Sequence, residues 1–233
     1  MAGKATRFTE KGYKTPKPFL PLGNKYMIEA VMDNVGSDSD TFILICREEH
    51  KPYIQEITAM SRRKIIVIYD DRQDGQACAV LKAKHLINNM EPLLIVNSDQ
   101  FVVYDKIDWW ETMAMTDIAI MTFECPELDP KWSYARVEDG RVVQVVEKRA
   151  ISTHATVGIY YFKQGLYFVE GTEEMFAKDI KVNGEYYVSP AIDLLVDKLH
   201  AEIFPVQEMY GLGVPDDYEK NKDKVVSAIQ TNI

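Results

Sequence analysis

Short apolar runs that alternate with helical patterns limit the folds open to this chain more than any other feature. Near-continuous runs rich in Ile, Val and Leu occupy residues 41–46, 64–69 and 93–96. Such runs are typical of strands that are buried on both faces of a parallel sheet. Apolar residues with helical spacing fill 27–35 and 75–90. The alternation predicts an α/β fold, with a Rossmann-like, mixed and mostly parallel sheet flanked by helices.

The C-terminal portion of the chain has an antiparallel character. Strands are predicted at 117–124, 154–162 and 201–206, and helices at 188–200 and 214–230. Asp139-Gly140 lies between two alternating segments and predicts a hairpin. In the second of these segments, alternation places Val143, Val145 and Glu147 on one face. Ser189 is the predicted N-cap of the 188–200 helix. No linker is evident, so we expect one continuous domain.

Composition and charge exclude several classes of protein. The chain has 233 residues and a formal net charge of −9, which argues against sequence-independent binding of nucleic acid. Its apolar runs are far shorter than the roughly 20 residues of a membrane span. We see no signal peptide and expect a cytoplasmic protein without a membrane partner. The three cysteines are far apart, which favours reduced thiols over disulfides or metal ligands.

The opening stretch carries a glycine and two cations that could hold phosphate. Gly3 would let the backbone approach a ligand closely, so that the amides that follow it could point at phosphate oxygens. Arg7 could grip a phosphate with two hydrogen bonds, and Lys17 would add a point charge. The alternative is a surface loop with scattered cations.

Polar residues also follow the predicted strands. Asp99 comes just after the 93–96 run and would suit Mg²⁺, although an aspartate that caps a turn is the alternative. Glu147 and Lys148 follow another strand and point either into a cleft or into solvent. Gly158 lies inside a predicted strand and indicates a bulge or a close approach by a ligand.

Several blocks, in this order, resemble the nucleotidyltransferase family. They are "MAGKATRF", "GYKTPKPFLPLGNKYMIEAV", "DGQACAVLKAK", "LLIVNSDQF", "VVEK", "THATVGIYYF", "NGEYYVSPAIDLLV" and "YGLGVPDDYE". The best-known members are the sugar-1-phosphate nucleotidyltransferases of capsule, lipopolysaccharide and nucleotide-sugar synthesis. The resemblance covers nearly the whole chain and implies a fold of the nucleotide-diphospho-sugar transferase type. It implies a single domain, 1–233, with a nucleotide-binding half, 1–125, and an acceptor-binding half, 126–233.

The resemblance also implies roles for individual residues. Residues expected at the nucleotide are Ala2, Gly3, Lys4, Arg7, Lys17, Gly75, Gln76 and Ser98, with Gly75 and Gln76 at the base. Asp99 stands at the family's Mg²⁺-binding aspartate. Residues expected at the acceptor are Glu147, Lys148, Gly158 and Glu185. Arg7, Lys17 and Lys148 would be the catalytic cations.

The implied reaction joins an NTP to a small phosphorylated acceptor, a sugar phosphate being the leading candidate, and releases pyrophosphate. A phosphate monoester has a second pKa of about 6, so the nucleophile is largely ionised and needs no general base. This agrees with a sequence in which the four histidines stand apart. The alternatives are a cytidylyltransferase for a polyol or aminoalkyl phosphate and a catalytically silent nucleotide-binding regulatory module. A glycosyltransferase fits less well, because "NSDQ" is not a D-x-D metal site.

The sequence departs from the family pattern at three places. Ala5 replaces the second glycine of the turn, and it would avoid crowding a phosphate if its φ is negative. Gly211 stands where many relatives have a second metal-binding aspartate, a role that Asp216 or Asp217 could take over. Family members place an apolar strand before the turn with which this sequence opens. Without that strand we expect exposed neighbouring strand edges, which leaves pairing into a homo-oligomer open.

Overall fold

The computed structural model describes residues 5–72 and 74–231 and divides into two compact units. The first unit contains Met1–Arg72, Asn97–Val103 and Met209–Ile233, and the second contains Gln73–Val96 and Tyr104–Glu208. Each unit is therefore assembled from segments that are distant in sequence. The assignment of nucleotide and acceptor binding to the halves 1–125 and 126–233 stays a prediction.

Helices and strands alternate along most of the chain. The helices are α1 (Thr6–Glu10), α2 (Met27–Val35), α3 (Lys51–Met60), α4 (Gln76–Leu81), α5 (Lys84–Ile87), α6 (Lys106–Met115), α7 (Gly165–Ala177), α8 (Val188–Asp193) and α9 (Pro215–Thr231). The strands are β1 (Pro21–Leu22), β2 (Lys25–Tyr26), β3 (Thr41–Cys46), β4 (Lys64–Tyr69), β5 (Leu93–Val96), β6 (Gln100–Val103), β7 (Ile118–Glu124), β8 (Tyr134–Glu138), β9 (Arg141–Val146), β10 (His154–Phe162), β11 (Ala201–Pro205) and β12 (Glu208–Gly211). Short 3₁₀ helices span Lys17–Phe19 and Glu48–His50.

The first unit is built on short pairs of strands packed with helices. β3 and β4 are parallel, from Thr41 opposite Lys64 to Cys46 opposite Tyr69. β1 and β2 form a small antiparallel hairpin, and β12 pairs with β6. One apolar cluster joins residues of α1, β1, α2, β6 and α9: Phe8, Leu20, Leu22, Met27, Ala30, Phe101, Leu212, Tyr218 and Val225. This cluster holds the start of the described chain against its C-terminal helix.

The second unit contains a six-stranded mixed sheet. Its order is β11-β7-β10-β8-β9, and β5 also pairs with β10. β11 and β7 are parallel, whereas β10 is antiparallel to β5, β7 and β8, and β8 is antiparallel to β9. The expected mixed α/β class with an antiparallel C-terminal portion is confirmed. Within this sheet, antiparallel pairings outnumber parallel ones.

The apolar runs predicted the strands closely. β3, β4, β5 and β10 have the predicted bounds, and β7 and β11 differ from theirs by one residue at one end. The hairpin between β8 and β9 turns at Asp139 and Gly140, which have φ of 49° and 81°. Positive φ at both central residues is the requirement of a type I′ turn, which explains the Asp-Gly sequence.

The predicted alternation in β9 is wrong at Val143, because the strand contains a bulge. Arg136 lies opposite Gln144, but the next residue, Val137, lies opposite Val142, so that Val143 has no partner. The extra residue shifts the inward face. Val142 and Val145 are therefore the buried pair.

Two helix predictions also need correction. The 75–90 segment forms α4 and α5 with a break between them, where bonds of the i to i+3 type replace the α-helical pattern, as from Ala83 N to Val80 O at 3.0 Å. The helix predicted at 188–200 ends at Asp193, and its N-cap is Tyr187 instead of Ser189. Ser189 is buried inside the first turn of α8. In the described part of the chain, no helix combines the length and apolar character needed to cross a bilayer.

Candidate functional site

Lys17 and Asp99 form the central polar contact of the first unit. Lys17 Nζ donates a hydrogen bond to Asp99 Oδ2 at 2.6 Å, and the two side chains are only 18% and 21% exposed. Burial by itself would raise the pKa of Asp99, but the charge and hydrogen bond of Lys17 outweigh it and lower that pKa below its ordinary value. Asp99 is thus held ionised beside a cation in a partly shielded place.

The Pro-Lys-Pro sequence fixes the backbone that carries Lys17. Pro16 is the N-cap of the 3₁₀ helix Lys17–Phe19, and Pro18 lies in its first turn, where a missing N–H costs nothing. Phe19 is fully buried and stacks on Tyr53 with ring centroids 4.5 Å apart. The core on one side of the turn therefore anchors a lysine that projects from the other side.

Asp99 lies in the turn between β5 and β6 and is held by the segment before α9. Leu212 N donates to the backbone carbonyl of Asp99 at 2.8 Å. A Cβ added to Gly213 would lie 3.0 Å from Asp99 Oδ2, closer than most real Cβ contacts. Glycine at 213 therefore leaves room for the carboxylate. Sequence reasoning did not single out Gly213, although it stands in the quoted "YGLGVPDDYE" block.

Arg7 lies on α1, the five-residue helix at the start of the described chain. Its side chain is exposed, and no described residue pairs with the guanidinium or joins it to Lys17 or Asp99. Ala5 is the N-cap of α1 and has a φ of 49°, in the left-handed region. The favourable condition expected for Ala5, a negative φ, is therefore not met. The predicted contacts of Ala2, Gly3 and Lys4 lie outside the described residues.

Gly75 has a structural reason of its own in the second unit. Its φ is 106°, and an added Cβ would lie 2.3 Å from Tyr186 O. Ala77 N donates to the same carbonyl at 3.0 Å. Gly75 therefore lets the start of α4 approach the 186 backbone, and Gln76 is the first residue of that helix. Ser98, in the first unit, is half-buried beside Asp99.

Lys148 is held by a short chain of polar contacts in the second unit. Its ammonium donates to Tyr187 Oη and lies 4.2 Å from the centroid of the same ring. Tyr187 Oη donates in turn to Glu185 Oε2 at 2.7 Å. Burial, followed by the Glu185 and Glu147 carboxylates, raises the pKa of Tyr187. The backbone of Lys148 has a φ of 54°, a left-handed conformation that costs about 1 kcal/mol or more.

Glu147 turns toward a buried group of hydroxyls. Ser133 Oγ donates to Glu147 Oε2, and the buried Tyr160 Oη lies 3.1 Å from Thr156 Oγ1 and 3.5 Å from Ser189 Oγ. Burial, followed by the Glu147 charge, raises the pKa of Tyr160. The cradle around Glu147 is therefore made of neutral donors, which suit a ligand rich in hydroxyl groups.

The bulge predicted at Gly158 is confirmed. The pairing of β10 with β7 shifts register between Thr156 and Tyr160, and Gly158 has a φ of 75°. The irregular strand turns Thr156 and Tyr160 toward Ser189. A glycine is required where the backbone takes this conformation.

The donor set fits a metal ion only if a substrate supplies further ligands. Among residues 5–72 and 74–231 there is no group of three or more His, Cys, Asp or Glu that could hold a metal. A Cβ at Gly211 would lie 4.0 Å from Asp217 Oδ2, whereas Asp216 bonds to Lys11 at 2.8 Å. Mg²⁺ usually takes one or two carboxylates together with substrate phosphates, and the ionised Asp99 meets that requirement.

The predicted residues are divided between the two units. The first unit holds Arg7, Lys17, Ser98 and Asp99, and the second holds Gly75, Gln76, Glu147, Lys148, Gly158 and Glu185. Direct contact joins Lys17 to Asp99, and Tyr187 links Lys148 to Glu185. Sequence reasoning missed Tyr187 and Ser133. The only available signal was the position of Tyr187 in the "NGEYYVSP" block.

Comparisons with known proteins agree with this layout. The family model described as nucleotidyl transferase matches residues 1–183. The bifunctional protein GlmU of Methanococcus maripaludis is 25% identical over 209 residues, which cover 85% of this chain and 47% of the relative. The chain thus spans about half the length of the curated relatives it matches.

Solved structures share the fold. The nucleoside-diphosphate-sugar pyrophosphorylase of Vibrio cholerae has a TM-score of 0.75 at 23% identity, covering 96% of this chain and 98% of that one. The inositol-1-phosphate CTP transferase of T. maritima has a TM-score of 0.70 at 14% identity, covering 98% and 93%. At these identities the likeness establishes the architecture alone.

Proposed function

The chain belongs to the nucleotidyl transferase family, and from this premise we propose that it couples an NTP to a sugar-1-phosphate or a similar small phosphorylated acceptor. The observation that carries the proposal is the half-buried pair of Lys17 and Asp99, which sets a cation and an ionised carboxylate side by side after β5. The names of similar proteins, such as the Vibrio cholerae nucleoside-diphosphate-sugar pyrophosphorylase, support it. Synthesis of nucleotide sugars, including capsule or lipopolysaccharide precursors, is the proposed setting.

The proposed reaction is an in-line displacement at the α-phosphorus. An oxygen of the acceptor phosphate forms a bond to that phosphorus. The bond from the α-phosphorus to the oxygen bridging to the β-phosphorus breaks, and pyrophosphate leaves with the electron pair. No proton has to be removed, because a phosphate monoester with a pKa of about 6 is already ionised at neutral pH. Catalysis then depends on alignment and on neutralising negative charge.

The chain's own cations supply that neutralisation in the proposal. Arg7, whose guanidinium has no described partner, and Lys17 hold the phosphates of the NTP. A lysine ammonium has three N–H donors, so Lys17 can keep Asp99 and still bind phosphate. Lys148 holds the acceptor phosphate, and Glu147 and Glu185 accept hydrogen bonds from its hydroxyls. Gly75 and Gln76 are proposed to lie at the base.

Asp99 is the proposed protein ligand of Mg²⁺. When bound, the ion would supply positive charge to the phosphate oxygens and help to align the leaving group. Asp99 is suited to this because its pKa is lowered and Gly213 leaves space beside Oδ2. Whether Asp217 assists depends on the space left by Gly211.

Pyrophosphate release from a panel of substrates tests the proposal. Each of the four NTPs is combined with a set of sugar-1-phosphates, polyol phosphates and aminoalkyl phosphates. We expect Mg²⁺-dependent release with at least one combination, and a CTP preference with a non-sugar acceptor would identify the cytidylyltransferase alternative. Asp99→Asn should lose the activity, whereas Asp38→Asn, which changes an exposed aspartate paired with Arg63, should keep it. Full activity in Asp99→Asn would refute the metal assignment.

Two observations favour a second candidate, a nucleotide-binding module without turnover. Ala5 has a left-handed backbone where the family has glycine, and Gly211 replaces a second carboxylate. Such a module would bind an NTP with Mg²⁺ and release no pyrophosphate with any acceptor. Calorimetric binding measured beside the panel distinguishes the two candidates.

A further inference from the structure

The first turn of α9 holds the α1 segment at several points. Tyr13 Oη donates to Glu219 Oε1 at 2.7 Å. The rings of Phe8, Tyr13 and Tyr218 meet edge to face, with centroids 5.3 Å, 6.2 Å and 6.3 Å apart. Phe8 and Tyr218 are buried, so this contact is a small aromatic core. It fixes the helix that carries Arg7 to the start of α9.

The same turn of α9 also organises the segment next to Asp99. Tyr218 Oη donates to Pro21 O at 2.7 Å, a few residues after Lys17. Asn221 Nδ2 donates to Gly211 O at 2.9 Å, and the following residue, Leu212, donates its N–H to the Asp99 carbonyl. One turn of α9 therefore contacts the chain beside Arg7, beside Lys17 and beside Asp99.

α1 cannot hold its own position. It has five residues, and helices this short are unstable in water without tertiary contacts. It also begins at Ala5 in a left-handed conformation and shows no side-chain N-cap. The direction in which Arg7 projects is consequently set by the contacts of Phe8 and Tyr13 with α9.

We propose that Tyr13, Tyr218 and Glu219 are positioning residues, which set the phosphate-binding geometry of Arg7 and Lys17 without touching the nucleotide. The inference rests on the proposed function. The exposed ion pair of Lys11 with Asp216 is not part of it, because such pairs contribute little. The buried rings and the two tyrosine hydroxyls carry the coupling.

The test uses inorganic pyrophosphate with Mg²⁺ as the probe, because it carries phosphate chemistry common to every NTP. We expect Tyr13→Phe to weaken pyrophosphate binding severalfold, and Tyr13→Phe with Tyr218→Phe about tenfold or more, as measured by calorimetry. The melting temperature of Tyr13→Phe should stay close to wild type, because its lost bond is exposed. Amide exchange should rise in residues 6–13 and stay unchanged in α8.

Tyr26→Phe is the matched control. Its hydroxyl donates to Glu56 at 3.0 Å, so the variant loses the same kind of bond in the same unit without involving α1. It should bind pyrophosphate like wild type. Equal affinity in wild type and both Tyr13 variants would overturn the positioning role while leaving the proposed function intact. If wild type itself fails to bind pyrophosphate and to use any NTP, the proposed function falls, and this inference falls with it.

Discussion

Lys17 and Asp99 depend on each other for their charge states. Burial alone raises the pKa of Asp99, and the neighbouring Lys17 is the main reason that it is lowered instead. We therefore predict that Lys17→Met raises the pKa of Asp99 above its wild-type value, because desolvation is then left uncompensated. Carbon-13 NMR titration of the aspartate carboxyls measures the change.

Lys25→Met is the control for that experiment. Lys25 pairs with Asp33 at 2.5 Å, in the same unit but with roughly a third of each side chain exposed. The variant should leave the Asp99 titration where it is in wild type. If the Asp99 pKa does not move in Lys17→Met, the ion pair does not control that carboxylate.

Ala5 should tolerate glycine better than an ordinary alanine does. An L-residue pays about 1 kcal/mol or more in the left-handed region, and glycine does not. Glycine loses about 0.5–1 kcal/mol through the flexibility of the unfolded chain. We predict that Ala5→Gly leaves the free energy of unfolding unchanged or slightly higher, as measured by urea denaturation.

The matched substitution is Ala114→Gly, at an exposed position inside α6. It should cost about 1 kcal/mol, the usual penalty for glycine in a helix. Equal losses at the two positions would show that the backbone of Ala5 is not strained.

The contact between the start of α4 and the Tyr186 backbone should be intolerant of any side chain. Gly75→Ala places a Cβ 2.3 Å from Tyr186 O and demands a φ of 106° from an L-residue. We predict a loss of about 3 kcal/mol or more, because both the clash and the strain must be relieved by moving backbone. Chemical denaturation measures the loss.

Gly140→Ala separates the two causes. Gly140 has a φ of 81°, and a Cβ there would meet nothing within 4 Å. It should therefore cost only about 1 kcal/mol for the backbone conformation. A loss at Gly75 no greater than the loss at Gly140 would show that the Tyr186 contact can relax.

Strands could be predicted from this sequence because their signal is local. The Ile- and Val-rich runs that became β3, β4 and β5 carry their own periodicity, and the Asp139-Gly140 turn carries its own backbone preference. The bulge at Val143 was not predictable, because it depends on the register against β8. The break between α4 and α5 likewise contradicts a continuous helical pattern.

The candidate site could be predicted as a set of residues but not as a set of contacts. Asp99 follows an apolar run, and Lys17 lies between two prolines, so each stood out locally. Their pairing joins positions separated by 82 residues and is fixed by the core beneath Phe19. Tyr187 and Gly213 carry no local pattern, because what they do depends on which side chain the fold brings beside them.

Both units are made of segments distant in sequence, so their stability depends on long-range packing. Within the first unit, that packing buries a titratable ring: His50 is 1% exposed and lies edge-on to Phe19, with ring centroids 5.2 Å apart. Its Nδ1 accepts a hydrogen bond from Arg47 N at 3.2 Å, and its Nε2 has no partner within hydrogen-bonding distance. The charged groups around it are Arg47, Glu49 and Asp71.

Burial, assisted by the Arg47 charge, lowers the pKa of His50 from 6.5 to about 4. Above pH 6.5 the ring is neutral in both states and does not change the stability. Between pH 6.5 and 4 the unfolded chain binds a proton that the folded chain excludes, so the free energy of unfolding should fall, by about 3 kcal/mol in all. Urea denaturation across this range measures the fall. His50→Gln should flatten it, and His85→Gln, at an exposed position, should not. An equally steep fall in His50→Gln would assign the acid sensitivity to other groups.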